Sequence, residues 1–266
     1  MRSKHFTIVA LLASLPAFAQ SPAPAHSPST KPRVIRSHAP MRLIGAPSNG
    51  SVTSDNWSGY AVTGSNFTNA SGSWIVPKAV CSKTPNSYSS FWVGIDGYNN
   101  STVEQLGTDS DCDGTTPTYY AWYEFFPNPP KTLGITVSPG DKMSASVSYA
   151  SGKFTLEIAD HTTHRLVKIG KKLTAARASA EWIAEAPSSS GGVLPLTDFT
   201  SVSFGDDYTG LTDTNWAEDG SITGPISDFG SLVEKITMMD AGGPTKAVPT
   251  AVTTDGSSFK VTWKHE

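Results

Sequence analysis

Beyond about residue 54 the chain alternates apolar and polar residues with a period of two. Phe154, Leu156 and Ile158 take one side of such a run, and Thr155 and Glu157 the other. The same rhythm marks Trp57–Thr63, Gly72–Val76, Ser89–Ile95, Ser101–Leu106, Tyr119–Phe126, Gly134–Ser138, Met143–Ala150 and Lys153–Ala159. It continues in His164–Ile169, Ser179–Glu185, Phe199–Phe204, Ser231–Met238, Ala247–Thr253 and Ser257–Trp263. Gly, Asn, Asp and Pro fill the gaps between runs, as turns require. Few stretches hold a 3.6-residue apolar period, and Lys171–Glu185 imitates one only through its alanines. Many short strands without a strand–helix alternation predict an all-β fold, a β-sandwich or jelly roll.

The front of the chain follows other rules. Arg2 and Lys4 precede an apolar run from Phe6 to Ala19, which ends in Ala17-Phe18-Ala19 before Gln20. Residues 1–19 are therefore expected to be a secretory signal, and the protein to be secreted, extracellular or periplasmic. No later run approaches the length of a membrane helix, so no membrane partner is expected. Residues 20–53 are rich in Pro and Ser and contain Lys31, Arg33, Arg36, Arg42, His26 and His38, but no acid. Six of the 20 Lys and Arg stand before Asp55, the first of 23 acids, which leaves 14 − 23 = −9 from there on. A Pro/Ser-rich basic stretch is either a disordered linker or a prosegment held on an acidic body by charge. In the second case it leaves as carboxylates protonate. The acidic body argues against nucleic acid. Residues 54–266 read as one domain, and the absence of heptads predicts a monomer. Cys81 and Cys112 are the only cysteines and are expected to pair in an exported protein. No metal or cofactor is called for, since two distant cysteines lack further ligands.

The familiar hydrolase signatures are missing. There is no G-x-S-x-G elbow, and only His161, His164 and His265 remain after the basic segment. Asp109-Ser-Asp111-Cys-Asp113-Gly114 copies half of a calcium loop, but Tyr120 stands where a bidentate Glu is needed, so it reads as an acidic turn. Gln105 is the only glutamine after residue 20 and shares a strand face with Val103, opposite Glu104 and Leu106. It is either a satisfied core amide or an amide aimed into a cleft. Trp92, Gly94 and Asp96 share a face, as do Tyr120, Trp122, Glu124 and Phe126. A carboxylate among aromatics must be paired, protonated or solvated, so Glu124 is marked. Glu181, Ile183 and Glu185 also share a face, which on pattern alone reads most simply as solvated.

Taken in order, Trp92-Val-Gly-Ile-Asp96-Gly, Glu104-Gln105-Leu-Gly, Ala121-Trp-Tyr-Glu124-Phe-Phe-Pro and Ala180-Glu181-Trp-Ile-Ala-Glu185 resemble the glutamic peptidase (eqolisin) family. Asn56-Trp57-Ser-Gly resembles the start of its mature enzymes. The resemblance is densest over residues 54–187. It implies two large curved antiparallel sheets, an acid-acting endopeptidase made as a preproprotein, and polypeptide substrates. It also implies an inhibitory prosegment and a metal-independent Gln/Glu dyad. Matched by motif, Gln105 and Glu181 are the dyad, and Trp57, Trp92, Asp96, Tyr120 and Glu124 fall on cleft or supporting positions. Fungal members commonly carry an acid where Tyr120 stands here, so the network around Glu124 must differ.

The residue types suit the chemistry. An ionised Glu takes a proton from water, and a Gln amide holds the oxyanion without titrating. Two other classes fit the pattern. A lectin-like module would stack sugars on exposed Trp92, Trp122 and Tyr120. A jelly-roll glycoside hydrolase would pair carboxylates such as Glu181 and Glu124 at about 5–9.5 Å.

Overall fold

The computed structural model describes residues 36–48 and 50–266, so the expected signal and residues 20–35 lie outside the described residues. The first strands are β1 (Leu43–Ser48), β2 (Ser51–Ser54), β3 (Trp57–Thr63), β4 (Asn69–Ile75), β5 (Ser90–Ile95), β6 (Val103–Asp113) and β7 (Thr116–Phe126). Next come β8 (Lys131–Thr132), β9 (Lys142–Ala150), β10 (Lys153–Asp160), β11 (Arg165–Lys172), β12 (Ser179–Glu185), β13 (Ser188–Ser189) and β14 (Gly192–Val193). The last are β15 (Ser201–Phe204), β16 (Trp216–Glu218), β17 (Thr223–Pro225), β18 (Val233–Met239), β19 (Thr245–Pro249) and β20 (Phe259–Trp263).

The strands form two layers. The front layer runs β8-β7-β6-β5-β12-β3-β18-β2-β1. The back layer runs β11-β10-β9-β4, and β4 then pairs with both β15 and β16. The ribbon β18-β19-β20-β15 joins one layer to the other. Every pairing in this sheet is antiparallel except β2 with β18. Because β2 is a strand of the front layer, the chain enters the sandwich before residue 54, the expected start of the domain.

Period-two alternation sorts the side chains. Phe91, Val93, Ile95, Leu106, Ala121 and Trp182 of the front layer pack in one buried cluster with Trp74, Val147, Phe154, Leu156 and Ile158 of the back layer. The other face of the front layer carries a second cluster of Trp57, Ala61, Trp92, Val103, Trp122 and Ile183. Strands β5 and β12 are buried along their whole length. The solvated-face reading of Glu181 and Glu185 is thereby overturned: a strand central to a sheet and covered on both sides leaves no face for water.

Two more expectations need correction. Residues 134–138 form no strand, although Ile135 and Val137 are buried. The alternation there anchors a loop that Pro139 and Gly140 turn back towards Val76. The acidic turn at 109–114 is also absent, because β6 continues to Asp113 and turns only at Gly114 (φ 59°). Asp109 and Asp111 stay in the ladder because the cleft satisfies their side chains, as shown below. Cys112 on this strand is bonded to Cys81, closing the expected disulfide.

Gly107 lies between Trp92 and Trp122 on neighbouring strands. A Cβ there would sit 2.2 Å from the Phe91 carbonyl oxygen and 2.6 Å from the Trp92 Cβ. Backbone and indole block any relief, so Gly107→Ala is expected to lower unfolding free energy by about 1–3 kcal/mol or more. Urea denaturation measures this, and an unchanged midpoint would contradict the packing described.

Candidate active site

Strand register lays the polar residues of the second face out in rows. One row is Glu181, Gly94, Gln105 and Glu124. The next is Ile183, Trp92, Gly107 and Trp122, and the third is Glu185, Ser90, Asp109 and Tyr120. Gly94 makes room for the Trp92 ring, since a Cβ there would be 2.9 Å from its Cζ3. All seven candidate residues other than Tyr120 are buried: Gln105, Glu181, Trp57, Trp92, Asp96 and Glu124. Tyr120 is half-buried.

The cleft is occupied by the chain itself. Residues 36–41 cross it in extended form. Ser37 exchanges both backbone hydrogen bonds with Ser188, each at 2.9 Å, and the Met41 amide donates to the Gly97 carbonyl at 2.9 Å. The Ala39 carbonyl accepts from Trp57 Nε1 at 3.0 Å and from Asn56 Nδ2 at 3.3 Å. Asn56 Nδ2 also reaches the Pro40 carbonyl at 3.2 Å. At the centre, Gln105 Nε2 donates to the His38 carbonyl oxygen at 2.6 Å and to Glu124 Oε2 at 3.2 Å. The amide of the sole glutamine of the domain is aimed into a cleft, and a peptide carbonyl meets it.

His38 is the plug. Its ring stacks on Trp122 with centroids 3.4 Å apart and planes at 4°. Nδ1 lies 3.2 Å from Glu124 Oε2, Nε2 lies 3.4 Å from Asp109 Oδ1, and the His38 amide donates to Glu124 Oε2 at 2.9 Å. Burial opposes charge on the ring, but Asp109 and Glu124 outweigh it and push the His38 pKa up to about 10. Burial would raise Asp109 too, yet the His38 charge, with hydrogen bonds from Ser90 (2.5 Å) and Tyr120 (2.6 Å), holds it below the ordinary carboxylate range. Two residues upstream, the half-buried Arg36 guanidinium pairs with Asp111 and donates to the Tyr120 hydroxyl at 2.7 Å. It also lies 4.4 Å over the Tyr88 ring.

The two glutamates of β12 have different surroundings. Glu185 Oε2 accepts from Trp92 Nε1 at 2.8 Å. Burial raises its pKa well above the ordinary range, His38 pulls it down, and Glu124 and Asp109 push it up. These charges are the ones around Gln105. Glu181 is raised by burial first and then by Asp96 and Glu104. It shares the Gln105 row by register, but its charged surroundings lie at the far end of β5. Glu185, which pattern reading set aside, is the β12 carboxylate that feels the charges of His38, Glu124 and Asp109.

The other candidates divide similarly. Trp57 touches the peptide, Trp92 orients Glu185, and Glu124 is paired by His38 and Gln105. Tyr120 bridges Asp109, Asp111 (3.0 Å) and Arg36. Asp96 is a clamp, accepting from the amides of Arg177 (2.7 Å) and Ala178 (2.8 Å) and from Asn100 Nδ2 (2.7 Å), which is a supporting position. Glu104 lies on the opposite strand face and is pushed up to about 8 by burial and by Asp96. Arg36, His38, Asp109 and Asp111 were missed as site residues. The available signal was a basic segment beside a run of three alternating aspartates.

Known proteins resemble this chain. The model of the peptidase A4 family matches residues 55–263. Aspergillopepsin-2 of Aspergillus niger is 28% identical over 198 residues, covering 65% of this chain and 67% of that protein. Scytalidopepsin B of Scytalidium lignicola is 38% identical over 124 residues, so the match spans 45% of each. Scytalido-glutamic peptidase with a transition state analog inhibitor superposes at a TM-score of 0.64 with 25% identity, over 79% of this chain and 98% of that one. Aspergilloglutamic peptidase from Aspergillus niger gives 0.55 with 25% identity, over 67% and 99%.

The His38 pKa fixes a sign. Raised from 6.5 to about 10, it favours the covered cleft fully below pH 6.5, and that contribution is lost as pH rises through about 10. NMR titration of the His38 ring should show a midpoint near 10. A midpoint at the ordinary value would mean that the ring is not held between these carboxylates.

Proposed function

The chain belongs to the peptidase A4 family and is a peptide-bond hydrolase, and we propose that it is an exported, acid-acting endopeptidase whose chemistry rests on Gln105 and Glu185. In the same reading the segment around His38 covers the cleft until acid frees it. One observation carries this: the Gln105 amide donates to a backbone carbonyl of an extended peptide inside a carboxylate-lined cleft.

The roles follow from atoms. A scissile carbonyl placed like that of His38 has the Gln105 N–H on its oxygen, where negative charge develops during attack. Glu185, ionised, takes a proton from the attacking water and returns it to the leaving nitrogen. Trp92 Nε1 holds the Glu185 carboxylate in place. Water entering as the segment leaves removes the burial that raises Glu185, so the base ionises in moderate acid. An imidazole base would be protonated there.

Charge supports the covering role. Asp109 is held below its ordinary 3.8 by His38, so its share of segment docking is present above that value and is lost as pH falls through the depressed one. Between the carboxylate and imidazole limits the ion pair is complete. Falling pH weakens it.

The competing classes fare less well. Sugar stacking needs exposed rings, whereas Trp92 and Trp122 are buried and Trp122 is capped by His38. Glu181 and Glu124 lie three strands apart, about 14 Å between backbones at the usual strand spacing. Glycosidase pairs stand about 5–9.5 Å apart.

Casein cleavage across pH, with pepstatin and a chelator present, tests the class. Acid-only cleavage resistant to both is expected. Glu185→Gln should lower kcat by about 10²–10⁴, and Gln105→Ala by about 10²–10³. Glu181→Gln should keep most activity. If Glu181→Gln is dead and folded Glu185→Gln is active, the base has been assigned to the wrong residue.

A further inference from the structure

The peptide in the cleft is held by its backbone. The His38 carbonyl oxygen is on the Gln105 amide at 2.6 Å, and the His38 charge pulls the Glu185 pKa down. Both flanks are strapped. Upstream, Ser37 pairs with Ser188 at 2.9 Å in both directions. Downstream, Trp57 and Asn56 hold the Ala39 and Pro40 carbonyls. The side chains alternate as in a bound strand. Arg36 enters the pocket of Asp111, Tyr120 and Tyr88, and His38 enters that of Asp109, Glu124 and Trp122. The bond that follows the carbonyl on Gln105 is His38–Ala39.

We propose that this chain cuts itself between His38 and Ala39, so that the covering segment is its first substrate. The inference rests on the peptidase reading above. Water adds through oxygen to the His38 carbonyl carbon as Gln105 holds the oxyanion. The bond to the Ala39 nitrogen then breaks. One water proton passes by way of Glu185 to that nitrogen and the other stays on the carboxyl oxygen, leaving a carboxylic acid on His38 and an amine on Ala39. The buried, covered form presents the bond without cutting it, because no ionised base is available until water enters beside Glu185. The acidic pockets also define what a first-cut sequence looks like: arginine, one free position, then an imidazole followed by a small residue.

The full-length chain, incubated at the pH where it cleaves casein, is followed by intact mass and N-terminal sequencing. The first new N-terminus is expected at Ala39. Its rate should be unchanged over a tenfold dilution, as an intramolecular cut requires, and should fall at least 100-fold in Glu185→Gln and in Gln105→Ala. Circular dichroism establishes that the variants are folded. Exchanging Arg36 for Glu should slow the cut at least tenfold by placing an anion against Asp111. Casein cleavage with the 38–39 bond intact, or a first cut between 43 and 55, overturns this site and leaves the peptidase reading standing. Cutting at 38–39 that persists in folded Glu185→Gln also overturns it. Cleavage of neither casein nor the chain ends both.

Discussion

Five buried carboxylic side chains, Asp109, Asp111, Glu124, Glu181 and Glu185, share one face of one sheet. Charges of one sign at that density cannot all persist away from water unless cations join them or some stay protonated. Both solutions are used. His38 and Arg36 bring positive charge to the Asp109, Asp111 and Glu124 end. Burial keeps Glu181 and Glu185 protonated well above the ordinary range. The basic front of the chain and the acidic body are therefore two halves of one electrostatic arrangement.

The sandwich makes that arrangement rigid. Central strands β5, β6 and β12 have neighbours on both sides, and the ribbon through β19 and β20 ties the front layer to the back. Glycines at 94 and 107 create space for indoles, which fix the Glu185 carboxylate from one side and the His38 ring from another. The oxyanion role proposed for Gln105 needs a donor that does not reorient, and a fully buried strand gives it that.

Much of this was legible in the sequence. Period-two runs located nearly every long strand, because burial on one face writes itself into alternation. The lone Gln105 and the aromatic strand around Glu124 were also readable. Glu181 and Glu185 were not separable, because alternation assigns both to one face and register assigns Glu181 to the Gln105 row. Only the Trp92 indole and the neighbouring charges distinguish them. The aspartates of β6 looked like a turn because an aspartate is a turn former until something pairs it. Arg36 and His38 do the pairing from about 75 positions away; a basic composition signalled attraction, but not which side chain would enter which pocket.

Strand β11 pairs only with β10 and is an edge of the back layer, with Leu166 exposed. An open edge of this kind invites another chain to add to it. Arg165, Lys168, Lys171 and Lys172 lie along it. These four make the edge basic, and acidification strips surface carboxylates of their charge. Two such edges then repel each other most strongly under the acid conditions proposed to open the cleft. Protection against edge-to-edge aggregation and the proposed opening of the cleft are thus driven by the same protons.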